Sequence, residues 1–488
     1  MDEKIEVSGQ MAGTLPDLKG KNISLSIREN TRLAFDFYLN GLPNIASTYM
    51  HIDLKQSFAD LNELIQVKLP DNFPLTQMKI PEQFMNAGII EYNGNFTGFL
   101  SDFVAFGTFK SKWGVLTTDL SFVPSSGEKL KINGKLKTVN FKLRELAQSD
   151  LLDRVTFNGN IKGLLNQQNH DFSATVTGKI DSLTMNDYQY KNFELNGDIE
   201  NKQFKGSLTA NDPNLKFQFD GEFNLNVPIP VFNFNMTVEK ANLRALKLVS
   251  SFNESNVSFA LNANFAGSNI DNLAGSIHFK EGSYQNENGA VSFNNFDLKT
   301  FSDVEPILQI RSDFFDADIR GQYQIHNLHN TVLKIISNYL PSTGLTYSDL
   351  KTSNNFDFRF DLKDINRFTN VLLPDLKIEP GQIEGSINSG KNTMTVKATF
   401  PEIKYQGAVL RKFTMNIEGD SKLHLRNKVA EVDLGNDLKV HNLSMTSEAS
   451  NDVLDSKMVW NNYESVSYSG ALNRSEEHTS ELQSLAYL

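Results

Sequence analysis

The chain has 488 residues, a formal net charge of −11, 39% hydrophobic residues, 36 Phe and no Cys. This apolar content excludes a disordered chain, and the missing Cys excludes disulfides, thiol catalysis and Cys-ligated metals. The acidic balance argues against nucleic acid as a general partner, because phosphate binding needs clustered Lys and Arg. The sequence contains neither an apolar run long enough for a membrane-spanning helix nor the N-terminal pattern of a signal peptide.

Alternation of apolar and polar residues with a period of two dominates the chain from its beginning. It is clear at residues 23–27 and 33–37, and again at residues 232–238 and 356–362. This period is typical of a strand with one apolar face and one wet face. The sequence therefore predicts about 25 to 30 antiparallel strands, separated by turns rich in Asn, Gly, Ser and Pro.

Five short segments instead carry apolar residues at helical spacing. Pro341 and Pro374 are expected to end the last two of them, because proline cannot continue a helix. The predicted helices are residues 57–67, 139–146, 241–249, 328–340 and 365–373.

Glycines recur inside the predicted strands, in phase with the apolar residues. Glycine weakens a strand, so its recurrence needs a physical reason. One explanation is that the sheet curls strongly at these positions. The other is that each glycine leaves a notch in which a second apolar body can lie. The glycines predicted to lie in the apolar face are Gly159, Gly178, Gly197, Gly221, Gly275, Gly321, Gly385 and Gly419.

These patterns together predict an all-β fold with a few short helices. Residues 1–473 are expected to form one long, curled antiparallel sheet, a repeating β-groove shaped like a gutter. Few long helices are available to cover the apolar side, which leaves room for a ligand. The alternative is ordinary packing of this side between two sheets. The candidate groove-lining residues are Phe217, Phe219, Phe223, Phe232, Phe234, Ile277, Phe279, Phe356, Phe358 and Phe360.

No pattern in the sequence supports catalysis, a cofactor or a metal. His326 and His329 form a His-x-x-His pair, but no acidic partner flanks them at the spacing of a metal site. The acidic run that contains Asp316 and Asp318 is interpreted as a solvated strand face. His278, between two apolar residues, is expected to point outward with the polar residues.

Residues 474–488 break the pattern of everything before them, since they are polar and show no alternation. They match the translation of a common sequencing adapter. We therefore expect residues 474–488 to be an artefact rather than native sequence, and the chain to be an internal fragment of a longer protein.

The strand repeats with in-phase glycines resemble the AsmA-like superfamily, in particular TamB-type translocation and assembly proteins of Bacteroidetes-like bacteria. Residues 265–267 and 270–277, followed by Tyr284, form the stretch most similar to that family. The resemblance implies a periplasmic β-groove that an N-terminal helix anchors in the inner membrane. It further implies transport of phospholipid toward the outer membrane, or support of outer-membrane protein assembly with a barrel partner. The family's membrane helix and C-terminal partner-binding domain are absent from this sequence, as expected of a fragment.

Three functional hypotheses remain open from the sequence. In the first, phospholipid acyl chains lie along the groove, and their removal from water favours binding by about 0.8 kcal/mol per CH₂. The second is an outer-membrane β-barrel, against which the charged polar face, the irregular strand lengths and the repeated glycines argue. The third is an extracellular or structural β-protein.

Overall fold

The fold is all-β, as predicted from the alternation. A computed structural model describes residues 5–65, 85–126, 129–144, 151–166, 171–301, 305–348, 354–436, 438–461 and 468–474. The chain divides into two compact units. Unit 1 comprises Met1–Asn226 with Ala245–Leu248, and unit 2 comprises Val227–Arg244 with Val249–Leu488. Residues 475–488, most of the predicted artefact, lie outside the described residues, whereas Arg474 ends the last strand.

Unit 1 is an antiparallel meander in which every strand pairs with the next strand in the chain. A one-turn helix, α1 (Leu61–Leu64), and a 3₁₀ turn at Ile45–Ser47 accompany the strands. The strands are β1 Ile5–Thr14, β2 Asp17–Ile27, β3 Thr31–Asn40, β4 Tyr49–Asp60, β5 Ile89–Gly98, β6 Phe103–Ser111, β7 Gly114–Ser125, β8 Lys129–Lys142, β9 Leu152–Asn166, β10 Phe172–Met185, β11 Tyr188–Glu200, β12 Gln203–Asp212 and β13 Leu215–Asn224.

Unit 2 repeats this arrangement, except that β20 pairs with β22 and the short β21 pairs with β23. Helices α2 (Leu328–Tyr339) and α3 (Asn366–Leu372) lie in the connections after β19 and β20. Its 3₁₀ turns are Ile270–Asn272, Ile325–Asn327 and Pro341–Thr343. The strands are β14 Val231–Asn242, β15 Ser255–Ala266, β16 Ala274–Asn286, β17 Gly289–Phe301, β18 Ile307–Ser312, β19 Phe315–Gln322, β20 Asn355–Leu362, β21 Leu376–Ile378, β22 Gly381–Asn388, β23 Thr393–Tyr405, β24 Ala408–Gly419, β25 Leu423–Asp433, β26 Lys439–Ser450, β27 Val453–Trp460 and β28 Tyr468–Arg474.

Each unit is an open sheet. Among the described residues, β1 does not pair with β13, and β14 does not pair with β28. An open sheet with one apolar face needs something to cover that face. The burial pattern of many strands alternates between exposed and half-buried rather than exposed and buried, as along β13 and most of β8.

Two of the five predicted helices are confirmed. Helix α2 matches residues 328–340 and α3 matches residues 365–373. Both end just before the prolines named above, because proline disfavours the α conformation of the residue before it.

The helix predicted for residues 139–146 is wrong over most of its described part, because β8 continues to Lys142. Arg144 is helical, and residues 145–146 lie outside the described residues. A register shift between Thr138 and Phe141 places Asn140 at φ +50° and breaks the alternation. Thr138 and Phe141 are both buried, so the bulge imitates the three-residue spacing of a helix.

Residues 241–249 are also not a helix. β14 runs to Asn242, and turns follow it, with Leu246 almost fully buried. The helix predicted for residues 57–67 is the end of β4 followed by the single turn of α1, and residues 66–67 lie outside the described residues.

Candidate functional site

A continuous apolar row crosses unit 1 from β6 to β13. Cross-strand partners in an antiparallel sheet point to the same face, so the register alone defines this row. Aromatic residues occupy both of its ends. The partners in order are Phe103, Phe122, Ile132, Gly163, Ala174, Ile199, Phe204 and Phe223.

The aromatic side chains at the β13 end of this row are half-exposed. Phe219 and Phe223, two candidate lining residues, lie with Phe204 at ring-centroid distances of 6.0 Å and 5.5 Å. Phe217 shares their face and contacts Phe193 at 6.1 Å. Phe217, Phe219 and Phe223 are all partly accessible. An apolar body that lay here would remove these rings from water.

A second aromatic group at the opposite end was missed from the sequence. Phe103 stacks between Phe96 and Phe122, with both ring-centroid distances 4.7 Å. All three rings are half-buried. The period-two pattern contains the signal for these residues, but only cross-strand register places Phe103 and Phe122 in the same row as Phe223.

The glycines of unit 1 face each other across strands. Gly159 lies opposite Gly178, and Gly206 lies between Gly197 and Gly221 in three neighbouring strands. A Cβ atom on Gly178 would lie 2.6 Å from the Cα atom of Gly159. This crowding supports the curling explanation, because the neighbouring strand already fills the space above the glycine.

Aromatic rings cover several of these glycines. A Cβ on Gly159 would meet the Phe157 ring at 2.5 Å, and a Cβ on Gly197 would meet the Phe204 ring at 2.6 Å. The protein's own aromatic rings therefore occupy these notches. The rings then form the surface that an apolar ligand could touch.

Helix α2 covers the apolar face of unit 2 at one end of the strands. Its Ile335 is completely buried. Beneath it lies a single cross-strand row from β19 to β27. All residues of this row except its two glycines belong to one hydrophobic cluster or pack against it. The row is Gly321, Phe356, Ile387, Met394, Gly419, Leu423, Ala449 and Leu454.

This cover changes the interpretation of four candidate lining residues. Phe356 is only 5% exposed, and Ile277, Phe358 and Phe360 pack against the same cluster. Phe356 is therefore closed off by protein, whereas Ile277, Phe358 and Phe360 stay half-buried beside the cluster. Gly419 does provide a notch, but Tyr339 of α2 occupies it, since a Cβ there would lie 3.2 Å from the Tyr339 hydroxyl oxygen.

Polar contacts fix α2 at both ends. Asp271 accepts a hydrogen bond of 2.6 Å from the Ile325 amide and pairs with His326. The Tyr339 hydroxyl lies 2.9 Å from the carbonyl oxygen of Asp420. These contacts tie α2 and the 3₁₀ turn before it to the segment before β16 and to the turn between β24 and β25.

The remaining candidates in unit 2 stay half-exposed. Phe232 stacks on Phe265 at 4.8 Å, and Phe234 follows on the same face of β14. Phe279 packs between Phe259 and Phe296 at 5.4 Å and 6.1 Å. The last two predicted glycines bring backbone close together, with Gly275 opposite Phe265 and Gly385 opposite Val396.

The charged residues noted in the sequence lie on the opposite, polar face. His278 is directly opposite Asp297, and its Nδ1 lies 2.6 Å from the carboxylate. Arg311 makes two hydrogen bonds to Asp318, of 2.8 Å and 2.9 Å. Burial raises the pKa of Asp318, but the Arg311 guanidinium outweighs it and holds the pKa below its ordinary value.

Asp316 also forms an ion pair, with Lys363 at 2.6 Å. Asp316 and Asp318 of the acidic run are thus both paired with basic side chains. His326 pairs with Asp271, and His329 is exposed on α2. In the part of the chain that the structure describes, no three His, Asp or Glu side chains cluster as metal ligands would.

Two further observations bear on function. Across the described ranges, no helix combines the length and the apolar character that crossing a membrane requires. Comparisons with protein-family models, with curated proteins and with solved structures returned no match to this chain.

Proposed function

We propose that this chain is a lipid-carrying groove protein of the AsmA-like, TamB type, with no catalytic activity. Acyl chains of phospholipid would lie on the aromatic face of unit 1, with headgroups toward water. The observation that carries the proposal is the row from Phe103 to Phe223, whose aromatic ends stay half-exposed on an open sheet. A large apolar surface that stays accessible marks a binding site or an aggregation hazard.

The cellular setting is part of the same proposal. The protein would act in the periplasm, anchored to the inner membrane in its full-length form, and would carry phospholipid between the two membranes. An outer-membrane barrel protein would be its assembly partner. The strand repeats with in-phase glycines support this setting through the family resemblance.

The test is to purify the chain without detergent and to count bound phospholipid by native mass spectrometry and lipid extraction. We expect several phospholipids per chain. Phe219→Glu should reduce this number, because a carboxylate among the rings of Phe204 and Phe223 disfavours acyl chains. Gln218→Glu is the matched control, because Gln218 is exposed on the other face of the same strand.

A well-folded chain without bound lipid would overturn the proposal. It would favour a structural β-protein whose apolar face packs on itself. The cluster beneath α2 supports this second candidate, because there the protein covers its own sheet.

A further inference from the structure

Five lysines form a patch on the polar face of unit 1. Four of them alternate along β8, and the fifth lies on β9 opposite Asn133. Alternate residues of a strand are about 6.6 Å apart on one face, so each ammonium group is within about one Debye length of its nearest neighbour in the patch. All five side chains are exposed. The lysine patch consists of Lys129, Lys131, Lys135, Lys137 and Lys162.

The lysine patch carries an excess of positive charge in an otherwise acidic chain, with Asp119 on β7 as the carboxylate directly opposite Lys135. Within the ranges that the structure describes, none of its lysines forms an ion pair. Other lysines on the same face do, as Lys179 pairs with Glu194 at 3.1 Å and Lys205 pairs with Glu222 at 3.0 Å. The four lysines without a carboxylate as cross-strand partner repel each other and Lys135, so an anionic partner would stabilise the patch.

Exposed apolar side chains lie directly beside the lysine patch, on the same polar face. Val104 is 44% exposed, Phe106 is 48% exposed and Val123 is 39% exposed. Val123 is the cross-strand partner of Lys131, while Val104 and Phe106 lie opposite Ser121 and Asp119 on β7. Apolar residues on a face that otherwise points to water need a reason of their own.

Lysines interspersed with exposed apolar residues match the interface of an anionic bilayer. Lysines are attracted to its surface charge, while Val and Phe enter the headgroup and acyl boundary. Nucleic acid would satisfy the lysines but would give the two valines no apolar environment. On the far side, Asp198 and Glu200 line a cavity of about 760 Å³ that also contacts Lys131 and Lys162. These carboxylates would repel lipid phosphates and so limit the contact to β6–β9.

We propose that the lysine patch, with Val104, Phe106 and Val123, is a docking surface for an anionic lipid bilayer. Docking through the polar face would hold unit 1 against a membrane and leave the aromatic row on the opposite face free. The proposal goes beyond the carrying of lipid, because it concerns a different face and a membrane surface rather than a bound molecule.

The test is co-sedimentation of the whole chain with vesicles of phosphatidylcholine alone or mixed with phosphatidylglycerol. We expect binding to the mixed vesicles that weakens with added salt. Lys131→Gln/Lys135→Gln should reduce the affinity by about 25-fold, since each lysine near a charged membrane contributes about fivefold. Lys179→Gln/Lys205→Gln removes the same net charge from the same face and should change the affinity little.

Phe106→Ser should also weaken vesicle binding. The bound fraction measured at high salt should fall more than the bound fraction measured at low salt. Circular dichroism confirms that each variant folds. An equal loss of vesicle affinity in the two double lysine variants would overturn the proposal, and so would no binding to mixed vesicles. Binding to a DNA duplex that Phe106→Ser leaves unchanged would also overturn it. Counting bound phospholipid separately by mass spectrometry distinguishes failure of docking from failure of the lipid-carrying function.

Discussion

At the scale of single residues, asparagine accounts for much of the irregularity in this sheet. About one residue in nine is Asn, and nine of the sixteen described non-glycine residues with positive φ are Asn. Its short side chain tolerates the left-handed conformation better than most residues do. Asn22 and Asn140 both lie at register shifts inside strands. Asn22 and Asn140 thus mark bulges in the sheet.

Glu63 ties α1 to the turn between β2 and β3. Its carboxylate accepts hydrogen bonds from the Thr31 hydroxyl at 2.8 Å and from the Asn30 side chain at 3.0 Å. Burial raises the pKa of Glu63, but these hydrogen bonds outweigh it and lower the pKa below its ordinary value of 4.5. The ionised carboxylate therefore stabilises the fold above pH 4.5, and this contribution is lost as the pH falls through the lowered pKa.

We therefore expect Glu63→Gln to lower the free energy of unfolding at pH 7. The difference from the unaltered chain should become smaller toward pH 3. Urea titrations at several pH values measure this difference. Glu29→Gln is the control, because Glu29 is exposed in the same turn. A Glu63→Gln effect that is constant with pH would contradict the assignment.

Gly197 and Phe204 are expected to be energetically coupled. A Cβ on Gly197 would lie 2.6 Å from the Phe204 ring and 2.9 Å from the Lys205 carbonyl oxygen. Gly197→Ala should destabilise unit 1 by about 1–3 kcal/mol, as overpacking does. The loss should be smaller in a Phe204→Leu background. Unfolding can be followed by the fluorescence of the buried Trp113 of unit 1 after Trp460→Phe.

Gly390→Ala in unit 2, followed by Trp460 fluorescence after Trp113→Phe, serves as the control for Gly197→Ala. The nearest atom to a Cβ at Gly390 is 3.5 Å away, which is ordinary van der Waals contact. Equal destabilisation at Gly197 and Gly390, or strict additivity with Phe204→Leu, would argue against ring-covered glycines as the source of the crowding.

At the scale of elements, the sequence predicted strands well because alternation is a local property. It predicted α2 and α3 because both carry helical spacing and end before a proline. It failed at residues 139–142, where a bulge in β8 shifts the side-chain phase within a strand. A shifted phase and a helical period look alike over a few residues, and only the partner strand distinguishes them.

Helix α2 should contribute strongly to the stability of unit 2. Ile335 is fully buried above the row that contains Phe356 and Met394. Ile335→Ala should lower the free energy of unfolding by about 2–5 kcal/mol, through lost burial and the cavity it leaves. Asn338 is exposed on the same helix. Asn338→Ala should change the free energy of unfolding by less than about 0.5 kcal/mol. Urea unfolding followed by Trp460 fluorescence, after Trp113→Phe, measures both.

A small effect of Ile335→Ala would show that α2 rests on the sheet without stabilising it. The position of α2 could not be predicted from the sequence. Its apolar residues indicate a helix with one buried side, but the row beneath it is assembled from strands spread over more than 130 residues of chain. The four candidate residues that belong to this cluster or pack against it were therefore indistinguishable from the other candidates.

At the scale of the whole molecule, the simplest property is that most strands pair with their neighbours in sequence. Low contact order of this kind makes stability a sum of local terms, as in other repeat proteins. All ten residues of the terminal strand β1 are exposed. Hydrogen exchange should be fastest at β1 within unit 1 and slow at β9–β11, which are paired on both sides.

Mass spectrometry of peptic peptides after hydrogen exchange measures this gradient along unit 1. Uniform protection from β1 to β13 would indicate that the unit opens as one body. The gradient follows from the strand order, in which each strand of unit 1 pairs with the next strand in the chain. The convergence of aromatic residues in the row from Phe103 to Phe223 needs the register, which bulges make unpredictable.

Sequential pairing also affects how such a chain can evolve. Duplication or loss of one hairpin changes a unit by two strands, or about 9.6 Å, and leaves every other ladder with the same partners. The width of the sheet in one unit can therefore change in steps of two strands during evolution. Within unit 2, the exception is the stretch beneath α2, where strands from β16 to β27 share one cluster and would have to change together.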